Sequence, residues 1–154
     1  MNATVYINPI LEATGKVFKE VCGYSTRLKG LTGERIKLSN DKMFIMLGVT
    51  GSTTGQVVFV LSLVEAKRIA SAMMGGIPVL SMDDIAKSAV GELGNMIMGN
   101  AATTLFEKGV EVDITPPALG FGETEILTPG TISIKASVTY DLGSFDLYFL
   151  LQCK

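Results

Sequence analysis

Two strand-like runs that are apolar on both faces constrain this chain most. Phe44, Ile45, Met46, Leu47 and Val49 form one run, and Val57, Val58, Phe59, Val60 and Leu61 form the other, across Gly51-Ser52-Thr53-Thr54-Gly55. β-Branched and aromatic residues on either side of a Gly/Ser/Thr turn read as a hairpin. A strand with one wet face alternates apolar and polar residues. These two do not, so the sheet they build needs cover on both sides, and helices are the expected cover. Gly, Ser, Thr and Gln interrupt the region from Met43 to Leu63. A membrane-spanning helix needs about 20 mostly apolar residues, so no membrane partner is expected. The first residues show no basic region followed by an apolar run, and a cytoplasmic location is the expectation.

Other elements follow from local signals. Asn8-Pro9 is expected to open a helix, with Asn as cap and Pro at the first helical position. Ile10, Val17, Phe18 and Val21 continue it at helical spacing, and Gly23 ends it. A short strand is expected from Thr26 to Leu31, and a helix from Leu63 to Met74, broken by Gly75-Gly76-Ile77-Pro78. Ser81-Met82-Asp83-Asp84 offers a cap for a long helix running to Lys108, with Gly109 as its stop. Val110 to Ile114 reads as a strand ended by Pro116-Pro117, and Gly120 to Pro129 as loop. Ile132 to Tyr140 and Phe145 to Cys153 form a last hairpin turning at Asp141-Leu142-Gly143-Ser144. The order predicts an α+β fold in one domain over 1–154, an antiparallel sheet with helices packed on it, and a weak internal duplication of helix then strands.

Composition then limits the chemistry. Hydrophobic residues make up 47% and charged residues 18% of the 154 positions, which is a folding composition. A net charge of −2 with no basic stripe makes nucleic acid a poor partner. The two cysteines, Cys22 and Cys153, have no CxxC spacing and are expected to be buried small apolar residues. There is no histidine. A His-based triad, a His proton shuttle and a His-ligated zinc are thereby excluded. Any chemistry must come from carboxylates, amides, hydroxyls, Lys or Arg, or from a partner.

The long helix has two faces. At about 100° per residue, Glu92, Asn95 and Gly99 fall within roughly 40° of Ser88. Ala86, Val90, Leu93, Ile97, Ala101 and Thr104 gather on the opposite side as a core face. Ile85, Met96 and Met98 lie between the two and are expected to stay partly exposed. An ordinary wet helix face is built from good helix formers such as Lys, Glu, Gln and Ala. Here it holds Ser, Asn and Gly, and Gly91, Gly94 and Gly99 each cost roughly 1 kcal/mol against Ala. That pattern fits close approach by another surface, with apolar residues beside a polar stripe as a protein-docking face.

The segment Ser88-Ala89-Val90-Gly91-Glu92-Leu93-Gly94-Asn95-Met96-Ile97-Met98-Gly99-Asn100-Ala101 resembles the signature of the CheC/CheX/FliY chemotaxis phosphatases. That signature is Asp or Ser, three residues, Glu, two residues, Asn, with a Pro some twenty-odd residues on. Ser88, Glu92, Asn95 and Pro117 match it, the proline about one residue early. Asn8-Pro9-Ile10-Leu11-Glu12-Ala13 also resembles the start of CheX-type sequences. CheC-type members carry the motif twice. The first half of this chain has only Glu12-Ala13-Thr14-Gly15, with Gly15 where Asn would stand, so the arrangement is CheX-like.

The resemblance implies a phosphatase acting on an aspartyl-phosphorylated, CheY-like response regulator. Its catalytic residues would be Glu92 and Asn95, with Ser88, Gly91, Met96 and Gly99 as partner-binding positions. It implies a homodimer, no cofactor of the chain's own, and Mg²⁺ supplied by the regulator. Phosphoryl transfer asks mainly for positioning and charge neutralisation. An amide donates and accepts at once and can orient a water. A carboxylate one turn earlier can bind the regulator's Lys. A non-catalytic dimeric module that docks receivers is the alternative on the same face.

Overall fold

The computed structural model of the chain describes residues 4–36, 38–122 and 133–153. Helix α1 spans Thr4–Val17 and closes in a π-helical turn, Phe18–Cys22. Strands β1 (Thr26–Glu34), β2 (Lys42–Gly51) and β3 (Thr53–Ser62) follow. Then come α2 (Leu63–Met73), α3 (Asp84–Glu107), β4 (Val112–Ile114), β5 (Ala118–Phe121), β6 (Ser133–Tyr140) and β7 (Gly143–Cys153). The strands form one antiparallel seven-stranded sheet in the order β1-β6-β7-β3-β2-β4, with β5 also paired to β2.

The α+β expectation holds, and so does the central hairpin, in a register that sets Met43 opposite Leu61 and Val49 opposite Gly55. Alternation divides its apolar residues between two clusters. Met43, Ile45, Leu47, Val49, Val57, Phe59 and Leu61 face the helices and pack with Ile10, Ile69, Val90, Leu93 and Ile97. The other face differs from expectation: among the described residues no helix covers it. There Phe44, Val58, Val60 and Tyr148 are buried with Ile36, Leu38, Met46 and Leu150 against them. The centre of that side is therefore buried within one copy, while the residues around it are only partly buried.

Other differences have physical causes. Helix α1 runs through Asn8-Pro9 instead of starting there, and Pro9 lies inside it. Proline inside a helix forfeits a backbone hydrogen bond. Burial of Tyr6 and Ile7, each 1% exposed, outweighs the cap signal. The caps of the later helices follow the sequence. The Ser62 hydroxyl accepts from the Glu65 N–H at 3.1 Å, and the Asp83 carboxylate from the Ala86 N–H at 2.9 Å. Gly23 and Gly109 take the left-handed φ of +75° and +82° that ends a helix.

Part of the expected loop is a strand. Residues 118–121 pair with Met43–Met46, and Gly120 sits opposite Phe44, whose ring fills the space a Cβ there would need. Residues 123–129 of that loop and Ile132 lie outside the described residues, as does the Cys153 side chain. Cys22 is half-buried with a free thiol, and burial pushes its pKa up to about 11. Across the α2–β6 junction the Tyr140 hydroxyl donates to buried Glu65, which also accepts from Arg68 at 2.8 Å. Burial and then that hydrogen bond raise Tyr140 above the ordinary phenol range.

Candidate functional site: the outward face of helix α3

Helix α3 turns one side to the sheet and one to solvent. Ala86, Val90, Leu93, Ile97 and Ala101 are at most 3% exposed. On the opposite side Ser88, Glu92, Asn95 and Gly99 are all exposed, as the rotation predicts, and Met96 is half-buried at their flank. Glu92 and Asn95 are three residues apart, so they are neighbours on the helix surface. The stripe ends in apolar residues, Ile85 at 67% exposure and Phe106 at 63%. Met98 departs from expectation: it is 1% exposed and belongs to the core.

The two asparagines of the segment differ in what they can do. Asn100 donates its side-chain amide to the Met96 carbonyl at 2.9 Å and is used up on its own helix. The Asn95 side chain makes no hydrogen bond, and the Glu92 side chain no hydrogen bond or ion pair, among the described residues. A free carboxamide beside a free carboxylate, on a rigid and well-capped helix, is the chemistry this face offers. Among the described residues no three His, Cys, Asp or Glu side chains gather to hold a metal. One carboxylate on the stripe is too few for a metal site of its own.

Gly91 is not on this surface. It is buried, and a Cβ built on it would lie 3.3 Å from Leu119 Cδ1 and 3.7 Å from Pro117 Cγ. The surface that approaches Gly91 is the chain's own strand β5 and the proline before it, not a partner. Gly94 is buried in the same way, 3.1 Å from Ile45 Cγ2 by the same construction. Gly99 contrasts with both: a Cβ there meets nothing within 4 Å. Sequence reasoning grouped the three glycines together and missed β5 as the wall beside the stripe. The available signal was rotation, since Gly91 falls about 60° from Ser88, outside the band of the exposed residues. The wall continues along the helix, where Lys87 Nζ lies 5.3 Å above the centre of the Phe121 ring.

Comparison with known proteins covers both the helix and its setting. A family model described as chemotaxis phosphatase CheX matches residues 43–133, from β2 through all of α3 to the start of β6. The CheY-P phosphatase CheX of Thermotoga maritima is 31% identical over 148 residues, 95% of each chain. Among solved structures, the chemotaxis protein CheX of Desulfovibrio desulfuricans superposes with a TM-score of 0.83 at 23% identity, covering 96% of this chain and 99% of that one. A chain of the CheX–CheY–BeF₃–Mg²⁺ complex from Borrelia burgdorferi gives a TM-score of 0.77 at 26% identity, covering 96% and 97%.

Proposed function

Because this chain belongs to the CheX family of chemotaxis phosphatases, we propose that it hydrolyses the aspartyl phosphate of a CheY-like response regulator, with Asn95 and Glu92 as its working side chains. The observation that carries the reading is the outward face of α3. Its Glu and Asn match the family signature, stand one turn apart in solvent, and are engaged by nothing else among the described residues.

In this reading the receiver docks along α3 against Ser88, Met96 and Gly99. Asn95 enters its phosphorylation site, where the carboxamide holds a water in line with the phosphorus. Attack forms the new P–O bond and breaks the bond to the aspartyl oxygen, releasing a carboxylate and inorganic phosphate. The water's proton leaves with the phosphate or to solvent. Glu92 meets the receiver's Lys and fixes the register, a charge-assisted contact. The receiver's own Mg²⁺ neutralises charge on the phosphoryl oxygens. The amide's contribution is orientation, and misplacing the reacting groups by about 1 Å can cost on the order of 100-fold.

The test is the decay of a phosphorylated CheY-like receiver with Mg²⁺, with and without the protein. Accelerated decay is expected. Saturable binding with unchanged decay would instead make the chain a receiver-docking module.

A homodimer joined through the sheet completes the reading and leaves both α3 faces free. Strand β1 ends the sheet and carries Leu28 and Leu31 at 44% and 45% exposure, a candidate seam. Sedimentation at micromolar concentration is expected to show twice the 16.4 kDa chain mass. A stable single chain would remove the dimer.

A further inference from the structure

The glycines that precede the two working residues have a shared seat. Gly91 comes before Glu92 and Gly94 before Asn95. Ile45 of β2 and Leu119 of β5 are direct cross-strand partners on the helix side of the sheet. Leu119 touches the space above Gly91. Ile45 touches that above Gly94, with Leu47 Cδ1 3.4 Å from the same built Cβ. Contacts at 3.1 and 3.3 Å leave no room for a methyl unless the helix or the seat gives by a few tenths of an ångström. Glycine inside a helix is unfavourable relative to alanine, so two of them one turn apart need a reason. Tight packing under the helix supplies it, whereas Gly99 on the same helix stands over open space.

We infer that Gly91 and Gly94 are positioning residues: resting on the Ile45–Leu119 pair, they set the depth at which α3 lies, and so where Glu92 and Asn95 stand relative to Pro117 and the connection before it. That connection is exposed at Thr115 and Pro116, and its Pro117 lies against Gly91. A body as large as a receiver that reaches Glu92 also meets it. The wall sets where the receiver stops, and the glycines set where the amide is when it stops. The inference rests on the phosphatase reading above and specifies how its site is held.

The experiment uses the full chain with Gly91→Ala, Gly91→Ala/Leu119→Ala, and Leu119→Phe, which enlarges the seat from the strand side. Gly91→Ala is expected to lower kcat for receiver dephosphorylation by about tenfold. KM is expected to move by less than kcat, because every side chain of the docking face is retained and only its depth changes. Leu119→Ala, which removes the crowding carbon, is expected to restore most of kcat. Backbone amide resonances of residues 92–95 should shift in Gly91→Ala and return in the double variant, a readout that does not depend on hydrolysis. If Gly91→Ala fails to fold, Leu119→Phe carries the same expectation. Wild-type kcat and unmoved resonances in a folded Gly91→Ala protein would overturn the inference, as would loss of kcat without rescue. Resonances that shift in Gly91→Ala and return in the double variant, with a wild type that hydrolyses nothing, would leave the helix-seating claim standing and sink the phosphatase reading instead.

Discussion

The two halves of the molecule repeat one plan. The first runs α1, β1, β2, β3, and the second α3, β5, β6, β7. The sheet order reads the same from either side once halves are exchanged: β1 pairs with β6, β5 with β2, and β3 with β7 at the centre. Both long helices lie on one sheet face, each burying its inner side and exposing a carboxylate, Glu12 on α1 and Glu92 on α3. Each also brings a glycine against the outer strand of its own half. On α3 this is Gly91, against Leu119, just before the carboxylate. On α1 it is Gly15, whose built Cβ would lie 3.1 Å from Thr26 Oγ1 of β1, three residues after the carboxylate. Seating the first helix therefore occupies the position where the second carries its amide. The scaffold is present twice, and the Glu-x-x-Asn pair is present on α3 and not at Glu12–Gly15 of α1.

If the halves are equal in the core and unequal in chemistry, variants should separate the two properties. The largest stability effects should be equal. Ile10→Ala and Ile97→Ala remove side chains only 2% and 0% exposed, from α1 and α3 in turn. Each is expected to cost about 2–5 kcal/mol in denaturant unfolding. A cost below about 1 kcal/mol for Ile10→Ala would break the equivalence of the halves in the core. Charge reversal should then be one-sided. Glu92→Lys is expected to weaken binding of a phosphorylated receiver by about tenfold or more, since it sets like charge against the receiver's Lys. Glu12→Lys should change the titration by less than about twofold. Equal losses would mean that the receiver uses both helices.

The smallest effect distinguishes the glycines. Gly99→Ala has open space and is expected to stabilise the fold by up to about 1 kcal/mol while raising KM for the receiver. Gly15→Ala should give no such gain, because Thr26 Oγ1 stands in the way. A thermal melt reads both. A Gly99→Ala protein with higher Tm and unchanged KM would remove Gly99 from the docking face.

Much of this was legible where signals are local. Asp83 caps α3 and Gly109 stops it, and rotation alone placed Ser88, Glu92, Asn95 and Gly99 together in solvent. What escaped depends on residues far away in the chain. Strand β5 carries a glycine and follows two prolines, so nothing local marks it. Its partner is Met43–Met46, more than seventy positions earlier. Gly91 looked like a partner's landing point because β5 was not seen. The far side of the sheet escaped for a similar reason, since Ile36 and Leu38 cover it from a segment with no regular structure. The internal duplication was visible only as an order of elements. Its two-fold logic emerges from the strand pairing.

The central claim is that the amide of Asn95 does the work. It is tested most directly by following decay of a Mg²⁺-loaded, phosphorylated CheY-like receiver with the wild type and with Asn95→Ala, both at saturating protein. Asn95 is exposed and unbonded among the described residues, so its truncation should leave the unfolding midpoint unchanged. The wild type is expected to accelerate decay, and Asn95→Ala to lose about 100-fold of that acceleration while still binding the receiver. An Asn95→Ala protein that dephosphorylates the receiver at a near-normal rate would contradict the account.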